Sequence, residues 1–477
     1  MLPEPSEKWW IGYCFIINSV IGAGILGIPW AYYTAGWLLG ILCQLYAFFM
    51  SIASSYQILS GWSRVEAIVQ LREQGHQIAP VRVFDIFKPI KSENREYLKN
   101  NSVVPVIAER KFDMYEMTTI TMGKSQGKFI ILVYIVSAYP CLVAYLSIFS
   151  ISLASNIPLF GSTCNLYEES GFFSSCKFIY WGFLTIFSAY ILIVSMFPMN
   201  EHKYIQVSLT VFRIFVFTLM IFTGLYAIFS GTKLSGAGEK DTDPALFELK
   251  YLGRILFIVI FASLYENIIP TATSFVKNKA RDMPKIINSA IFTFNILYIM
   301  IGLVLAFADK PSTMASLNWR SYTAGEDRSN RAWWTYVISY FIVLLPALDL
   351  LSSYPLVAIN FSDNLMSIVY GVEGKKELTK VIYMQRTVYG FRMIVVIPSI
   401  LISVFIYDLG AILEFCGIFS LVLSGISIPM VALAAERIIP EKSEYDFKYN
   451  YLVGVALIAS SGVILVASFI STSLSYL

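Results

Sequence analysis

Charge is scarce in this chain. Asp, Glu, Lys and Arg make up 14% of its 477 residues, against about 25% in soluble domains, which excludes a water-facing globular fold over most of its length. Histidine is nearly missing: His76 and His202 are the two present, and without a His/Cys cluster no metal centre is expected. The six cysteines contain no Cys-x-x-Cys pair, so the spacing of zinc ribbons and thiol redox motifs is absent. No phosphate-binding loop of the Walker type occurs, so ATP is not the energy source. Ten-residue segments of strand-like alternation are also missing, which argues against an outer-membrane barrel. The net charge is only +3, too small a surplus to suggest a nucleic-acid partner. No catalytic residues and no organic cofactor are read from the sequence.

What the chain has instead is apolar length. Hydrophobic residues reach 57% and the mean hydropathy is +0.65. Runs of 18 or more apolar residues recur along the sequence, each long enough to cross a bilayer as a helix. Eleven spans are expected near 11–34, 37–62, 129–157, 178–197, 204–230, 254–276, 286–308, 332–362, 387–407, 410–435 and 449–474. MLPEPSEKWW carries no cleavable signal peptide, and the apolar run behind it is long enough to serve as a signal anchor. Lys and Arg are denser in 1–10, 198–204, 277–285, 370–386 and 436–448 than in 158–179, 231–254 and 309–331. The positive-inside rule then places the N-terminus in the cytoplasm. Which membrane holds the protein is not specified by these signals.

Two spans contain breaks. Residues 18–40, NSVIGAGILGIPWAYYTAGWLLG, hold Gly22, Gly24 and Gly27 with Pro29 close behind. Glycine and proline are poor helix formers, and freed backbone groups in lipid need partners. Such interruptions belong where the backbone lines a cavity, as in secondary transporters. An inverted repeat of five spans would place a second break in span six. That span reads FIVIFASLYENIIPTATSFV, with Glu266, Asn267 and Pro270 in its middle. Pro270 removes a backbone donor, and Glu266 is costly in hydrocarbon unless it faces a cavity or a partner.

With these two stretches in hand, the chain resembles the amino acid/auxin permease family, which includes sodium-coupled neutral and vacuolar amino acid transporters within the amino acid–polyamine–organocation superfamily. The first-span signature carries the likeness most specifically. The run FASLYENIIPTATSFVKNKARDMPKIINSAI adds Asn267, Pro270, the basic cluster Lys277, Lys279 and Arg281, and Asn288. The glycine-rich tenth span LGAILEFCGIFSLVLSGISIPM also fits. The likeness covers nearly everything except 64–128. It implies an all-α leucine-transporter-like fold: repeat one over 11–230 containing the insertion 64–128, repeat two over 254–435, and an eleventh helix at 449–474.

Function is expected at the breaks. Unpaired backbone N–H groups at the start of a half-helix favour an anion, so Gly22, Ala23 and Gly24 are candidates to hold a substrate carboxylate, with Glu266 and Asn267 of span six beside them. Asn18 lies one helical turn earlier, and the family resemblance implies that an asparagine here ligates sodium. Ser352 and Ser353 of span eight match the paired hydroxyls this fold often places there, with Asp349 one turn before Ser353. The family's basic residue after the span-eight proline is absent, since Leu356 and Val357 follow Pro355. Glu266 and Asp349 also allow proton coupling, because a buried carboxylate can carry a proton. Equally, Arg213 of span five can neutralise one of these acids. The coupling ion is thus sodium or a proton.

The remaining features stay open at this level. Cys164 and Cys176 sit in one expected external loop and form a disulfide in an oxidising compartment or remain two free thiols. Residues 64–128 are a solvated cytoplasmic insertion, or a docking or regulatory element that meets protein partners through VRVFDIF and VVPVIA. The expected function is secondary active transport of amino acids, neutral ones by the family resemblance. The competing reading is a transporter-like accessory subunit of a larger membrane assembly, without transport. A third is a receptor of the same fold that binds substrate and signals.

Overall fold

The structure is a computed structural model that describes residues 8–88, 104–108, 110, 112–157, 175–196, 203–234, 236–239, 243–273, 276–326, 331–378 and 385–475. Apolar runs that cannot leave backbone groups unpaired in lipid become helices. Helices account for nearly every described element: α1 (Trp9–Val20), α2 (Ala23–Ala35), α3 (Trp37–Glu73), α4 (Met114–Met122), α5 (Lys124–Asn156), α6 (Ser175–Val194), α7 (Lys203–Ser230), α8 (Leu252–Ala262), α9 (Ile269–Ala272), α10 (Lys279–Ala308), α11 (Trp333–Leu378), α12 (Gln385–Ser403), α13 (Leu409–Val422), α14 (Ile428–Ile438) and α15 (Asn450–Ser475). One small antiparallel hairpin joins β1 (Thr232–Lys233) to β2 (Gly236–Glu239) between α7 and α8.

Among the described residues nine helices are long and apolar enough to cross a membrane, and α1 with α2 forms one further pair bent by 51°. The expected sixth span is interrupted more severely. Helix α8 stops at Ala262, a 3-10 turn covers Glu266–Ile268, and α9 adds a single turn. The tenth expected span divides as well: α13 and α14 are joined by a π-helical turn over Leu423–Ser427.

The interrupted spans occupy the centre. Helix α2 packs on α8 and α10, while α1 meets α7, α10 and α11. Helix α13 lies along α8 and α5. Gly417 permits this approach, since a Cβ there would stand 2.1 Å from the Phe257 carbonyl oxygen. Aromatic and aliphatic side chains facing outward, among them Phe49, Phe129, Phe215 and Phe292, are more than half exposed. That is the inverse of a soluble protein and matches a lipid-facing surface.

Much of the described part of the insertion is helical. Helix α3 continues through 64–73, past the end expected near 62. Arg64 allows this because it is buried and paired with Asp446 at 2.6 Å. Helix α4 opens with a capping box: the Asp113 side chain accepts from the Glu116 N–H at 2.9 Å, and the Glu116 carboxylate accepts from the Asp113 N–H at 3.2 Å. The insertion's described residues dock on the chain's own helices. Arg110 pairs with Glu73 at 2.8 Å and with Glu66 at 3.5 Å, Ser367 of α11 donates to Asp113 at 2.7 Å, and Arg437 donates to the Ile86 carbonyl at 2.9 Å.

Candidate functional site

The two breaks lie against each other. A Cβ on Gly24 would stand 2.5 Å from Cα of Ala262, so the first turn of α2 touches the last turn of α8 backbone to backbone. Only glycine allows that approach. Gly22 stands at the N-cap of α2 and no side chain caps the helix there, which leaves its first N–H groups available. The ends of α1 and α8 face the same region. Tyr298 of α10 lies 2.9 Å from the carbonyl oxygens of both Val20 and Ala262 and donates to them. One hydroxyl thus bridges the two helix ends, and the Val20 carbonyl also accepts from the Gly22 N–H at 2.8 Å.

A cavity of about 40 Å³ opens at this junction. Ser19, Val20 and Gly24 line it from the first break, Leu264 and Ile268 from the second, and Tyr134, Cys141 and Tyr145 from α5. None of its lining residues is charged. It has room for a few water molecules, so a substrate must widen it. A larger cavity of about 460 Å³ lies where Ile107 and Ala108 of the insertion face residues 276–281. It touches no helix break, so the smaller one is the candidate site.

The expected site residues divide into groups. Gly22 and Gly24 stand at the first break as expected; Ala23 begins α2, and its side chain lies outside the described residues, as do those of Asn267 and Ser352. Glu266 is fully buried but does not line the cavity. Its carboxylate accepts from Ser54 of α3 at 2.6 Å, from Ser424 in the π-helical turn at 2.9 Å and from the Tyr265 N–H at 3.1 Å.

Asn18, Ser353 and Asp349 gather on the other side of α1. The Asn18 amide nitrogen donates to the Gln206 carbonyl at 2.7 Å and to Gln206 Oε1 at 2.6 Å. Its Oδ1 accepts from Thr210 at 2.9 Å, and the Ser353 hydroxyl donates to the Asn18 carbonyl at 3.1 Å. Asp349 forms an ion pair with Arg213 of α7, and Arg213 also donates to the Ile17 carbonyl at 3.1 Å. Of the two acids that Arg213 could neutralise, it meets Asp349. Cys176, in the first turn of α6, is disulfide-bonded, while Cys164 lies outside the described residues. Cys14, Cys43, Cys141 and Cys416 are free.

Tyr298, Gln206, Thr210, Ser54 and Ser424 were not singled out in the sequence. Gln206 and Thr210 carried a usable signal, two polar side chains four residues apart on one face of an apolar helix. Tyr298 carried none, because tyrosine is ordinary in a membrane helix.

A family model described as transmembrane amino acid transporter protein matches residues 5–466. The chain belongs to that family. The family and its fold are those of a multi-pass membrane transporter and not of an enzyme. Over 98% of this chain and 99% of its own, a crystal structure of MhsT in complex with L-phenylalanine superposes with a TM-score of 0.57 at 10% identity, which shows the leucine-transporter-like fold. Curated relatives include the transmembrane protein 104 homolog of Drosophila melanogaster, 22% identical over 87% of this chain and 86% of the relative. Transmembrane protein 104 of Mus musculus is 20% identical over 88% and 86%. The Caenorhabditis elegans homolog is 23% identical over 74% and 67%.

Proposed function

We propose that the protein is a secondary active transporter of amino acids that works by alternating access, with its N-terminus in the cytoplasm. One observation carries this reading: an uncapped helix start and two helix ends converge on a single uncharged cavity. The N–H groups at the start of α2 suit a carboxylate, and the partial negative charge at the ends of α1 and α8, whose Val20 and Ala262 carbonyls accept from Tyr298, favours an ammonium group nearby. Together they fit the zwitterionic part of an amino acid. The uncharged lining favours a neutral side chain, since a charged one would be desolvated without a partner. Substrate that binds the closed arrangement more tightly than the open ones shifts the equilibrium toward closure. Coupling to a cation gradient supplies the drive, and Glu266, a fully buried carboxyl at the second break, is the group suited to carry a proton.

The test is reconstitution. Purified protein in liposomes is expected to take up or exchange at least one neutral amino acid under a proton, cation or substrate gradient. Absence of uptake under every such gradient, with correctly inserted protein, would favour the accessory-subunit reading.

A further inference from the structure

We propose that Arg213 is a built-in cation at the junction of α1, α7 and α11, filling the place expected to receive sodium, so that amino acid binding and transport do not need that ion. The proposal rests on the transporter reading above and concerns how that transporter is coupled.

Every described group expected to bind sodium there already has a partner of another kind. The Asn18 amide is turned toward α7, where its nitrogen donates to Gln206 twice and its oxygen accepts from Thr210. The Ser353 hydroxyl spends its proton on the Asn18 carbonyl. The two side chains expected to converge on one ion thus face different partners, the Asn18 amide oxygen Thr210 of α7 and the Ser353 hydroxyl the Asn18 main-chain carbonyl. The acid, Asp349, is ion-paired with Arg213.

The guanidinium occupies the ion's electrostatic role. Arg213 is 1% exposed. It reaches the Ile17 carbonyl in the last turn of α1, four residues before the break, and the Asp349 carboxylate of α11. The carbonyl end of a helix carries partial negative charge and attracts a cation. A buried carboxylate requires one. Both requirements are met by a charge on α7. A sodium ion added beside this pair would leave a net positive charge in a dry site, where repulsion between like charges is strongest. A tethered charge cannot leave with the substrate, so it links α1 to α11 in every cycle and transports nothing itself.

The experiment is a thermal-unfolding series on the purified full-length protein, in sodium chloride and in choline chloride, with and without each of the twenty amino acids. The unfolding midpoint of the unaltered protein, and any shift caused by an amino acid, are expected to be the same in both salts. Arg213→Ala is expected to lower the midpoint, and millimolar guanidinium or sodium is expected to raise it again by filling the vacated place beside Asp349. The double variant Arg213→Ala/Asp349→Ala is expected to ignore both cations, because no charge remains to be balanced. A sodium-dependent midpoint or amino acid shift in the unaltered protein overturns the proposal. So does an Arg213→Ala protein that responds to the cations no more than the double variant. Should Arg213→Ala fail to fold, the comparison of salts on the unaltered protein decides alone. If no amino acid shifts the midpoint in either salt while the cation responses follow expectation, the transporter reading fails and the built-in cation stands.

Discussion

At Gly24 a single missing Cβ decides whether the two helix breaks can meet. The Cβ of an alanine there would stand 2.5 Å from Cα of Ala262, and neither backbone can yield without moving its helix. Gly24→Ala is expected to cost about 1–3 kcal/mol by overpacking, read as a lower unfolding midpoint and as loss of amino acid binding. Gly182 is the control, since nothing lies within 4 Å of its added Cβ. Gly182→Ala in the exposed middle of α6 is expected to be neutral or slightly stabilising. Equal losses at both positions would remove the special standing of the contact. The glycines of the first break were legible in the sequence because their helix-breaking tendency is local. Tyr298, which bridges Val20 and Ala262, was not, because nothing in its neighbours shows which two carbonyls it will reach.

At the junction of the insertion with the bundle, one buried arginine joins two elements. Arg64, near the end of α3, donates to both carboxylate oxygens of Asp446 and to the carbonyls of Ile439 and Glu441. It thereby ties α3 to the loop between α14 and α15. Burial works to raise the Asp446 carboxyl, but Arg64, together with the Ser60 hydroxyl and the Ser443 N–H, outweighs it and holds the group below its usual range. A carboxyl lowered in the folded state adds stability above its unfolded value, about 3.9, and that contribution is lost as pH falls through the folded value. Arg64→Ala strands a buried carboxylate and is expected to cost about 3–5 kcal/mol at neutral pH. The deficit should begin to shrink while the pH is still above about 4, because without Arg64 burial raises the variant's Asp446 carboxyl, and should go on shrinking as the pH falls through the lowered value of the unaltered protein; urea or thermal melts of both proteins across pH check this. A pH-independent deficit would mean that Arg64 acts by packing alone. Here the sequence suggested a polar insertion from 64 onward. The ten further helical residues of α3 were hidden because Arg64 is satisfied by Asp446, hundreds of positions away, and Glu66, Arg72 and Glu73 by groups between 78 and 120.

For the molecule as a whole, alternating access requires that the cavity at the breaks open and close. Cys141 reports on it directly, being a free thiol in the lining, whereas Cys14, Cys43 and Cys416 are buried free thiols that do not line it. A small membrane-permeant maleimide is expected to modify Cys141 in the ligand-free protein, and a transported amino acid to slow that reaction. Cys141→Ala should abolish the protected signal and leave the rest. Labelling unaffected by every amino acid would place the substrate elsewhere or deny it altogether. The fold class, the two interrupted spans and the family likeness were legible in the sequence alone, because apolar length and helix breakers act over one or two turns and the bilayer forbids unpaired backbone. Tertiary structure alone decided the partners of the buried polar groups. Arg213 meets Asp349 while Glu266 meets Ser54 and Ser424, and Asn18 turns to α7. Each of these choices joins helices remote in the chain, and it is set by which faces they present to one another after packing, a property no local pattern encodes.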